Sequence, residues 1–355
     1  MDRGKGIRPS EEVAGISRRQ ALKITAVAGV SLALGGGLTR ALLERARLHR
    51  IRRTRIQMGT EVSVTVVHPD PAEAGRLVDA TFAEIERLEA ILSRYRPGSP
   101  VSRLARDGVL HDAPPDLVEV LARARNLSER TEGAFDVTVA PLLDLYRARA
   151  DGGDGMSGGA QPALPSDEEI EAALARVDYR RLRLESGLVA LEEPGMSLTL
   201  DGIAKGYIVD GAVATLAAGG AERVLVEAGG DLATRGSDAG DQEVAIQNPL
   251  DPGGVLGVLR LRGEGVASSG DYVHAFSQDR RHHHILDPRT GRSPRHTAGV
   301  TVVAPRAVDA DALSTAAFVL GPEEGLALLE EADGVEGLIV GKDGSRKVTR
   351  GLAHL

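Results

Sequence analysis

The sequence contains no cysteine and no tryptophan, and aromatic residues make up only 3% of its 355 positions. The absence of cysteine excludes disulfides, thiolate metal ligands, a cysteine nucleophile and a lipid-modified N-terminal cysteine. Because aromatic residues are scarce, the core must be built mainly from aliphatic side chains and alanine. A chain of this length is long enough to bury one large core or two closely packed ones.

Charge is distributed unevenly along the chain. Residues 1–55 carry 13 Lys and Arg against 4 Asp and Glu, which leaves 30 against 47 in the remainder and a net charge of −17 there. Nucleic-acid binding depends on clustered basic side chains, so this acidic body argues against a nucleic-acid partner. No stretch after the N-terminal segment approaches the roughly 18 consecutive apolar residues typical of a membrane-spanning helix.

The N-terminal segment has the order of features found in an export signal. Arg18 and Arg19 precede an apolar run from Ile24 to Leu34, and Gly35–Gly37 follows. Adjacent arginines before a short apolar stretch resemble a twin-arginine export signal, and the alternative is a surface helix with basic flanks. We therefore expect residues 1–54 to be a signal segment and linker, with the protein in the periplasm or on the outer face of the cytoplasmic membrane. Since no clear Ala-x-Ala cleavage site follows, the segment could also remain as a membrane anchor.

Residues 55–355 form one predicted domain of the α+β class, with mixed or antiparallel sheets flanked by helices. Alternation predicts a strand at Glu61–Val67, and apolar residues at helical spacing predict a helix over 72–92. The same criteria predict strands near 197–200 and at 223–227, a hairpin around Gly341–Gly344, and helices at Asp116–Arg130, 204–218, 309–320 and 322–332. No internal repeat and no long linker divides this stretch.

Local signals mark some of the boundaries. Asp116 is the predicted N-cap of its helix, and Ser166–Glu169 is predicted to be a capping box. The stretch Asp151–Gln161 is rich in glycine and predicts a flexible surface loop, which we extend to 151–165.

The segment Ser197–Tyr207 is the first candidate for chemistry. A strand is expected to end there, the chain to turn at Gly202, and a helix to begin with Lys205 in its first turn. A helix N-terminus offers free N–H groups and a positive dipole end, which suits a phosphate or another anion. Lysine opposes that dipole and so indicates an anionic ligand nearby. The alternative is a solvated lysine on an ordinary turn.

A glycine pair, Gly229-Gly230, follows the apolar strand and precedes Asp231. Paired glycines at the end of a buried strand permit close approach of a ligand to the backbone, or they form a tight turn only. Their spacing matches neither a dinucleotide-binding fingerprint nor a Walker loop.

Three consecutive histidines, His282–His284, look like a metal-binding tract. Neighbours in an extended chain point to opposite faces, so three ligands on one ion are not expected from them. His284 with Asp287 is a candidate general-base pair, and the alternative is an Asp-Pro turn after a polar strand.

Asp311 and Thr315 are spaced i, i+4, so both oxygens lie on one face of a predicted helix, with Leu313 and Ala316 directed to the core. A carboxylate with hydroxyl or carbonyl oxygens suits Mg²⁺, which keeps its other positions for water and phosphate. The alternative is a capping aspartate with an incidental threonine.

Short motifs occur in a fixed order along the chain. They are Met58-Gly59-Thr60, Gly133–Leu142, Asp201–Tyr207, Gly229-Gly230-Asp231, Ser269–Tyr272, His284–Gly291 and Ala310–Ala312. The series resembles the family of FAD:protein FMN transferases, the ApbE-like proteins, over about residues 55–330. This resemblance implies their architecture, which is related to the T-fold.

The resemblance also implies site residues. FAD would contact Met58, Tyr95, Ala134, Phe135, Asp136, Thr199, Lys205 and Leu286. Magnesium would be held by the carbonyl of Gly202 and by Asp311, Ser314 and Thr315. Family members commonly have aspartate where this chain has Thr199, and the nearest carboxylate here is Asp201. The leader and the motif Thr199–Gly206 are similar to the branch associated with respiratory reductases.

The activity so implied is a magnesium-dependent transfer of FMN from FAD to a Thr or Ser hydroxyl of an acceptor protein, such as a respiratory electron-transfer subunit, with release of AMP. Lys205 and Mg²⁺ would stabilise the developing charge, and His284, oriented by Asp287, would be the base. Two alternatives remain: an FAD pyrophosphatase, in which water replaces the hydroxyl, and a non-catalytic flavin-binding maturation factor.

Overall fold

The fold is built around one long antiparallel sheet. A computed structural model describes residues 30–32, 48–151, 164–236 and 242–353. The strands are β1 (Val30–Leu32), β2 (His49–Gln57), β3 (Thr60–His68), β4 (Val109–His111), β5 (Leu182–Glu185), β6 (Leu188–Leu191), β7 (Arg223–Ala228), β8 (Asp231–Gly236), β9 (Gln242–Asn248), β10 (Asp251–Leu261), β11 (Gly265–Gly270), β12 (Thr297–Ala304), β13 (Glu336–Gly341) and β14 (Arg346–Val348).

Helices and short 3₁₀ turns connect these strands. The α-helices are α1 (Pro71–Leu92), α2 (Pro100–Asp107), α3 (Pro115–Arg130), α4 (Ala140–Asp151), α5 (Asp167–Leu174), α6 (Ala204–Ala218), α7 (Ala307–Leu320) and α8 (Pro322–Glu330). The 3₁₀ turns are Val137–Val139, Tyr179–Arg181 and Arg350–Leu352.

The main sheet has eight strands in the order β14-β13-β12-β11-β8-β7-β3-β2, and every neighbouring pair is antiparallel. Alternate residues of a strand point to opposite faces, and β7 shows this directly. Val224 and Val226 join the larger apolar cluster, whereas Leu225 joins a second one. The sheet is therefore covered on both faces.

Helices α1, α6 and α7 cover one face of the main sheet, with α6 between the other two. A small sheet of order β1-β9-β10 supplies apolar side chains to the other face, among them Val244 and Ile246. A third sheet, β4-β6-β5, lies beside the main core.

The α+β class with antiparallel sheets and flanking helices is confirmed. The strand at Glu61–Val67, the helix over 72–92, the Ser166–Glu169 capping box and the hairpin near Gly341 are also present. Residues 197–200 are not a strand, because their backbone joins no ladder; the Thr199 N–H instead donates to the Val137 carbonyl.

The predicted cap at Asp116 is wrong. Helix α3 begins at Pro115, and Pro114 occupies the N-cap position without a side-chain hydrogen bond. Proline already has the backbone angle of a first helical residue and lacks the N–H that would need a cap. The carboxylate of Asp116 instead accepts hydrogen bonds from Arg87 and Tyr207.

Some predictions concern residues outside the described part of the chain. The twin arginines and most of the apolar run after them lie there, as does most of the predicted loop after Asp151. Within the described ranges, none of the helices is both long and apolar enough to cross a bilayer.

Candidate functional site

Helices α6 and α7 are held unusually close at their N-terminal ends. Gly206 permits this contact, since a Cβ atom there would lie 2.2 Å from the Ala307 carbonyl oxygen. The Asp210 carboxylate, from the same helix, accepts the N–H groups of Ala307 at 2.9 Å and Val308 at 3.1 Å. One helix therefore caps the other, and this fixes the relative position of the two segments that carry the candidate ligands.

The turn before α6 and one face of α7 meet, as the family resemblance implies. The Gly206 N–H donates to Asp311 Oδ2 at 3.0 Å. Gly202 faces Thr315, whose Oγ1 would lie 3.0 Å from a Cβ atom at that glycine. The four predicted magnesium ligands and Lys205 are thereby brought into one region.

Hydroxyl groups complete this region. Ser314 Oγ donates to the Asp311 carbonyl oxygen at 3.0 Å and lies 2.8 Å from Ser269 Oγ. Ser269 also lies 3.2 Å from Thr315 Oγ1. Ser269 lies within one of the ordered motifs, but the sequence alone does not indicate a role for it.

Lys205 forms an ion pair that sequence reasoning did not predict. Its Nζ lies 2.8 Å from Oδ2 of Asp231, which is only 1% exposed, whereas the lysine side chain is one-third exposed. Burial alone would lower the pKa of Lys205, but the carboxylates of Asp231 and Asp311 outweigh it and raise that pKa above its ordinary value. The ammonium therefore stays charged at neutral pH.

The donor set fits a hard divalent cation. Burial, reinforced by Asp231, raises the pKa of Asp311 well above its ordinary value, and Lys205 only partly opposes this. Burial likewise raises the pKa of Asp231. When both carboxyls are ionised, one ammonium leaves an excess negative charge, which a bound cation would neutralise and so favour the ionised form of Asp311. In the ranges described, no group of three or more His, Asp or Glu side chains forms a metal site, so the candidate set has one carboxylate with hydroxyl and carbonyl oxygens.

The backbone at the start of α6 is less available than the sequence suggests. The N–H groups of Ile203 and Ala204 both donate to the Leu200 carbonyl, and that of Gly206 donates to Asp311. The expected anion site of free N–H groups is therefore mostly satisfied internally. The group that can attract an anion here is therefore the Lys205 ammonium, rather than free N–H groups of the helix.

Tyr95 lies at the edge of this region and is 58% exposed. Its hydroxyl donates to Asp201 Oδ2 at 2.6 Å and accepts from Arg147 Nη1 at 2.8 Å. Burial, then Asp201, raises the pKa of Tyr95 to about 12, although Arg147 opposes the shift. Asp201 directly precedes Gly202, so this contact joins Tyr95 to the candidate metal region.

Thr199 and Asp136 both serve the local backbone. Thr199 is buried, and its Oγ1 accepts the Asp201 N–H at 3.3 Å. Asp136 accepts the N–H and hydroxyl of Thr138, each at 2.7 Å, and the Tyr179 N–H at 2.9 Å. Burial raises the pKa of Asp136 to about 6 despite these hydrogen bonds. The side chains predicted to contact FAD here are thus already hydrogen-bonded within the protein.

The other predicted FAD contacts lie on three separate segments. Met58, half-buried, forms the two-residue turn between β2 and β3 with Gly59, and both have positive φ. Ala134 and Phe135 are buried in the main core, and Leu286 lies in a third apolar cluster. Their roles in FAD binding stay predictions.

The glycine pair forms a tight turn. Gly229 and Gly230 connect β7 to β8 with φ of 60° and 101°, and Ala228 pairs with Asp231 across them. A Cβ atom at Gly229 would lie 2.7 Å from Thr60 Oγ1, so this turn packs against the start of β3. The pair thereby places Asp231 beside Lys205.

The expected pairing of His284 with Asp287 is replaced by other contacts. His284 Nδ1 lies 3.3 Å from the His274 carbonyl oxygen, and the two imidazoles meet edge to face. Asp287 binds Arg289 through both carboxylate oxygens, because the Asp-Pro turn brings that guanidinium back. Burial, then His274 and His283, lowers the pKa of His284 to about 3.

A cavity of about 410 Å³ lies elsewhere, between α1, α3 and α6. Its walls include Glu84, Asp116, Tyr207 and Arg306, but none of the predicted ligands. Tyr207 donates its hydroxyl to the carboxylate pair Asp116 and Glu119 there. The cavity and the candidate site are therefore distinct.

The fold and the site together define a protein with a lysine-bearing helix start beside a hard-oxygen ligand set, as expected for the binding of a metal-associated phosphate ester. The ApbE family model matches residues 58–339. The chain belongs to the ApbE family.

Two similar proteins carry the same name. The FAD:protein FMN transferase of Treponema pallidum (strain Nichols) is 32% identical over 332 residues, covering 87% of this chain and 89% of that protein. The FAD:protein FMN transferase of Salmonella typhimurium is 31% identical and covers 75% of this chain and 77% of its own length.

Solved structures agree with the fold. The apo form of the flavinyl transferase ApbE of Pseudomonas stutzeri matches with a TM-score of 0.73 and 31% identity, covering 87% of this chain and 97% of that one. The ApbE protein of Thermotoga maritima matches with a TM-score of 0.74 and 28% identity, covering 86% and 98%.

Proposed function

We propose that this protein transfers FMN from FAD to a Thr or Ser hydroxyl of an acceptor protein, with Mg²⁺ as its metal and AMP as the leaving group. The family and the names of its relatives support the transferase activity. The observation that carries the proposal is the meeting of Lys205 with the Asp311 face of α7.

The ligands proposed for Mg²⁺ are the Gly202 carbonyl, the Asp311 carboxylate and the hydroxyls of Ser314 and Thr315. When bound, the ion neutralises charge on the diphosphate as a Lewis acid. Lys205 adds a second positive charge, which Asp231 holds in position at 2.8 Å. The acceptor hydroxyl forms the new bond to the FMN phosphorus, and the bond from that phosphorus to the AMP oxygen breaks.

His284 is the proposed base for the acceptor hydroxyl. Burial keeps its imidazole neutral, the form that accepts a proton, although a pKa of about 3 makes it a weaker base than a free imidazole until substrate binding changes its surroundings. If Nδ1–H donates to the His274 carbonyl, Nε2 carries the free lone pair. Asp287 then supports the loop through Arg289 rather than the imidazole directly.

The test is to incubate the protein with FAD, Mg²⁺ and a candidate acceptor domain, and to look for a flavin-fluorescent acceptor band on a denaturing gel. We expect the band and one AMP for each FMN attached. Free FMN with no labelled acceptor, for every acceptor tried, would favour the pyrophosphatase. FAD binding without AMP release would favour a non-catalytic flavin-binding protein.

We also propose that the N-terminal segment directs export by the twin-arginine route, so that the enzyme modifies an acceptor on the outer side of the cytoplasmic membrane. The order Arg18-Arg19, apolar run, glycines supports this. Replacing both arginines with lysine should abolish export, which fractionation of cells expressing the full chain measures. Unchanged export would refute the twin-arginine assignment but would not affect the proposed reaction.

A further inference from the structure

The loop that carries His284 is folded into a short hairpin. Residues 271–296 connect β11 to β12. Within them, Ala275 pairs with His283 in an antiparallel bridge. The His284 N–H donates to the His274 carbonyl oxygen at 2.9 Å, and His284 Nδ1 lies 3.3 Å from the same oxygen. The position of the His284 imidazole is therefore set by the position of this hairpin.

The tip of the hairpin is held at Arg280. This residue has a φ of 55°, a left-handed conformation that is uncommon for a residue with a Cβ atom. Its carbonyl oxygen accepts a hydrogen bond from Lys342 Nζ at 2.7 Å, and its Nη1 donates to the Pro249 carbonyl oxygen at 3.0 Å. A conformation of this kind persists where neighbouring contacts hold it. The Lys342 ammonium supplies one of those contacts.

Lys342 also bonds both ends of the loop. It lies in the turn between β13 and β14. Its Nζ lies 3.2 Å from Oδ2 of Asp271, the first residue of the loop. Its backbone N–H donates to the carbonyl oxygen of His296, the last residue, at 2.9 Å. A single lysine therefore joins the start, the tip and the end of the segment that carries His284.

The Asp271 carboxylate depends on this lysine. Its side chain is only 4% exposed, and burial raises the pKa of the carboxyl group, which Lys342 opposes more than Arg280 does. Arg280 Nη1 lies 3.8 Å from Oδ1, and among the described residues that oxygen has no hydrogen-bond partner. An ammonium has three N–H donors, so Lys342 can bond the Arg280 carbonyl and the carboxylate together.

We infer that Lys342 is a positioning residue that holds the hairpin, and with it the His284 imidazole, at the place where the acceptor hydroxyl loses its proton. The inference rests on the proposed function, because it takes His284 as the base. Lys342 acts through the Arg280 carbonyl and the ends of the loop. A displacement of about 1 Å at a reacting group can lower a rate by about 100-fold, so a residue away from the substrate can have this effect.

The first experiment changes Lys342 to methionine, which removes the ammonium and keeps most of the length of the side chain. We expect Lys342→Met to lower the single-turnover rate of FMN transfer by about 10- to 100-fold. FAD affinity, measured by titration with Mg²⁺ present, should stay within about 2-fold of wild type, because the loss concerns the transfer step. An unchanged rate, or a loss of FAD affinity as large as the loss of rate, would overturn the inference.

The matched control is Lys347→Met. Lys347 lies on β14, just after the turn that holds Lys342, and its Nζ pairs with the exposed Glu323 at 2.8 Å. This variant should keep the wild-type rate and FAD affinity. An equal loss of rate in both methionine variants would show that the contacts of Lys342 are not the cause, and the inference would fall.

A purely structural role, as charge partner of Asp271, gives a different pattern. Lys342→Met leaves a buried carboxylate without its cation, so the melting temperature should fall. Adding Asp271→Leu removes that charge and should recover most of the melting temperature, but the Arg280 carbonyl stays unheld and the rate should stay low. Recovery of the rate together with the melting temperature would overturn the inference. If Lys342→Met does not fold, the double variant carries the test of the rate.

Coupling to His284 gives a second reading. In a His284→Asn background, Lys342→Met should lower the residual rate by less than about 2-fold, because the group that it positions is absent. A further loss of about 10-fold or more would show that Lys342 acts independently of His284, contrary to the inference.

Crystal structures of wild type and of Lys342→Met, both without FAD, test the positioning directly. We expect His284 Nε2 to move by about 1 Å or more relative to Lys205 Nζ in the variant. An unmoved hairpin would overturn the inference whether or not the protein transfers FMN. A moved hairpin in a protein that labels no acceptor would overturn the proposed function and leave the positioning by Lys342 intact.

Discussion

At the residue scale, the candidate site is set by one lysine among carboxylates. Lys205 pairs with the buried Asp231, and Asp311 is the next carboxylate to act on its charge. Asp311 is itself held by the Gly206 N–H. With Asp231 and Asp311 both ionised the net charge of this group is negative, so it attracts a cation and, with that cation bound, an anionic phosphate ester.

His284 gives the first prediction. His284→Asn should lower the rate of FMN transfer by on the order of 100-fold or more, because a positioned base contributes that much, while FAD affinity changes little. Single-turnover transfer and FAD titration measure the two effects. His111→Asn, at an exposed histidine that ends β4, is the matched control. Full activity in His284→Asn would remove it from the mechanism.

Asp311 gives the second prediction. Asp311→Asn should raise the Mg²⁺ concentration needed for half-maximal activity by at least about 10-fold, since loss of a ligand matters at least as much as loss of an outer-shell partner. Asp309→Asn changes a partly exposed aspartate in the first turn of the same helix, paired with Arg123, and should not alter the titration. An identical Mg²⁺ titration for Asp311→Asn would exclude this carboxylate as a ligand.

At the element scale, the contact between α6 and α7 fixes the site. Gly206→Ala would place a Cβ atom 2.2 Å from the Ala307 carbonyl oxygen, so the helices must separate. We expect a loss of about 1–3 kcal/mol in the free energy of unfolding, typical of overpacking, together with weaker Mg²⁺ binding. Urea unfolding and the Mg²⁺ titration measure both.

Gly75→Ala is the control for that substitution. Gly75 lies inside α1, and its Cβ would meet only Arg53 Nη2, at 3.6 Å. Alanine favours the helix by about 1 kcal/mol, so this variant should be as stable as wild type or more so. Equal stability of the two alanine variants would contradict the close approach at Gly206.

Elements with strong local patterns were predictable. The alternation of Glu61–Val67 gave β3, and helical spacing gave α1 within a residue at its start. The prediction of a strand at residues 197–200 was wrong, because a buried extended segment shows the same alternation whether or not it pairs with a neighbouring strand. The prediction of Asp116 as an N-cap was wrong, because the helix already starts at Pro115 and has no side-chain cap.

Part of the site was predictable and part was not. Gly202 and Lys205 share a turn, and Asp311 and Thr315 share a helix face, so short spacing indicated both groups. Asp231 was indicated only by its place after a glycine pair. Tyr95 is 52 residues away from Arg147 and 106 residues away from Asp201 along the chain. No local sequence pattern indicates contacts at such separations.

At the scale of the whole molecule, the buried carboxylates couple stability to pH and metal. Burial raises the pKa of Asp311, so the folded protein holds this proton more tightly than the unfolded chain. The stability so gained is complete at low pH and is lost as pH rises through the folded-state pKa. Mg²⁺ binds the ionised form and should offset that loss.

We therefore expect Mg²⁺ to raise the melting temperature more at pH 8 than at pH 5, because more of Asp311 is ionised at the higher pH. Thermal melts with and without Mg²⁺ measure this, and Asp311→Asn should lose most of the difference. An equal Mg²⁺ effect at both pH values would show that the ion binds elsewhere.

We propose that the Lys205 turn and the Asp311 face of α7 bind one diphosphate and one metal together. A crystal structure with FAD and with Mn²⁺ in place of Mg²⁺ would locate both, since the anomalous signal of Mn²⁺ marks the metal. We predict a peak bound by the Asp311 carboxylate and the Thr315 hydroxyl, with the FAD diphosphate between it and Lys205. FAD bound elsewhere, with no metal at Asp311, would contradict the account.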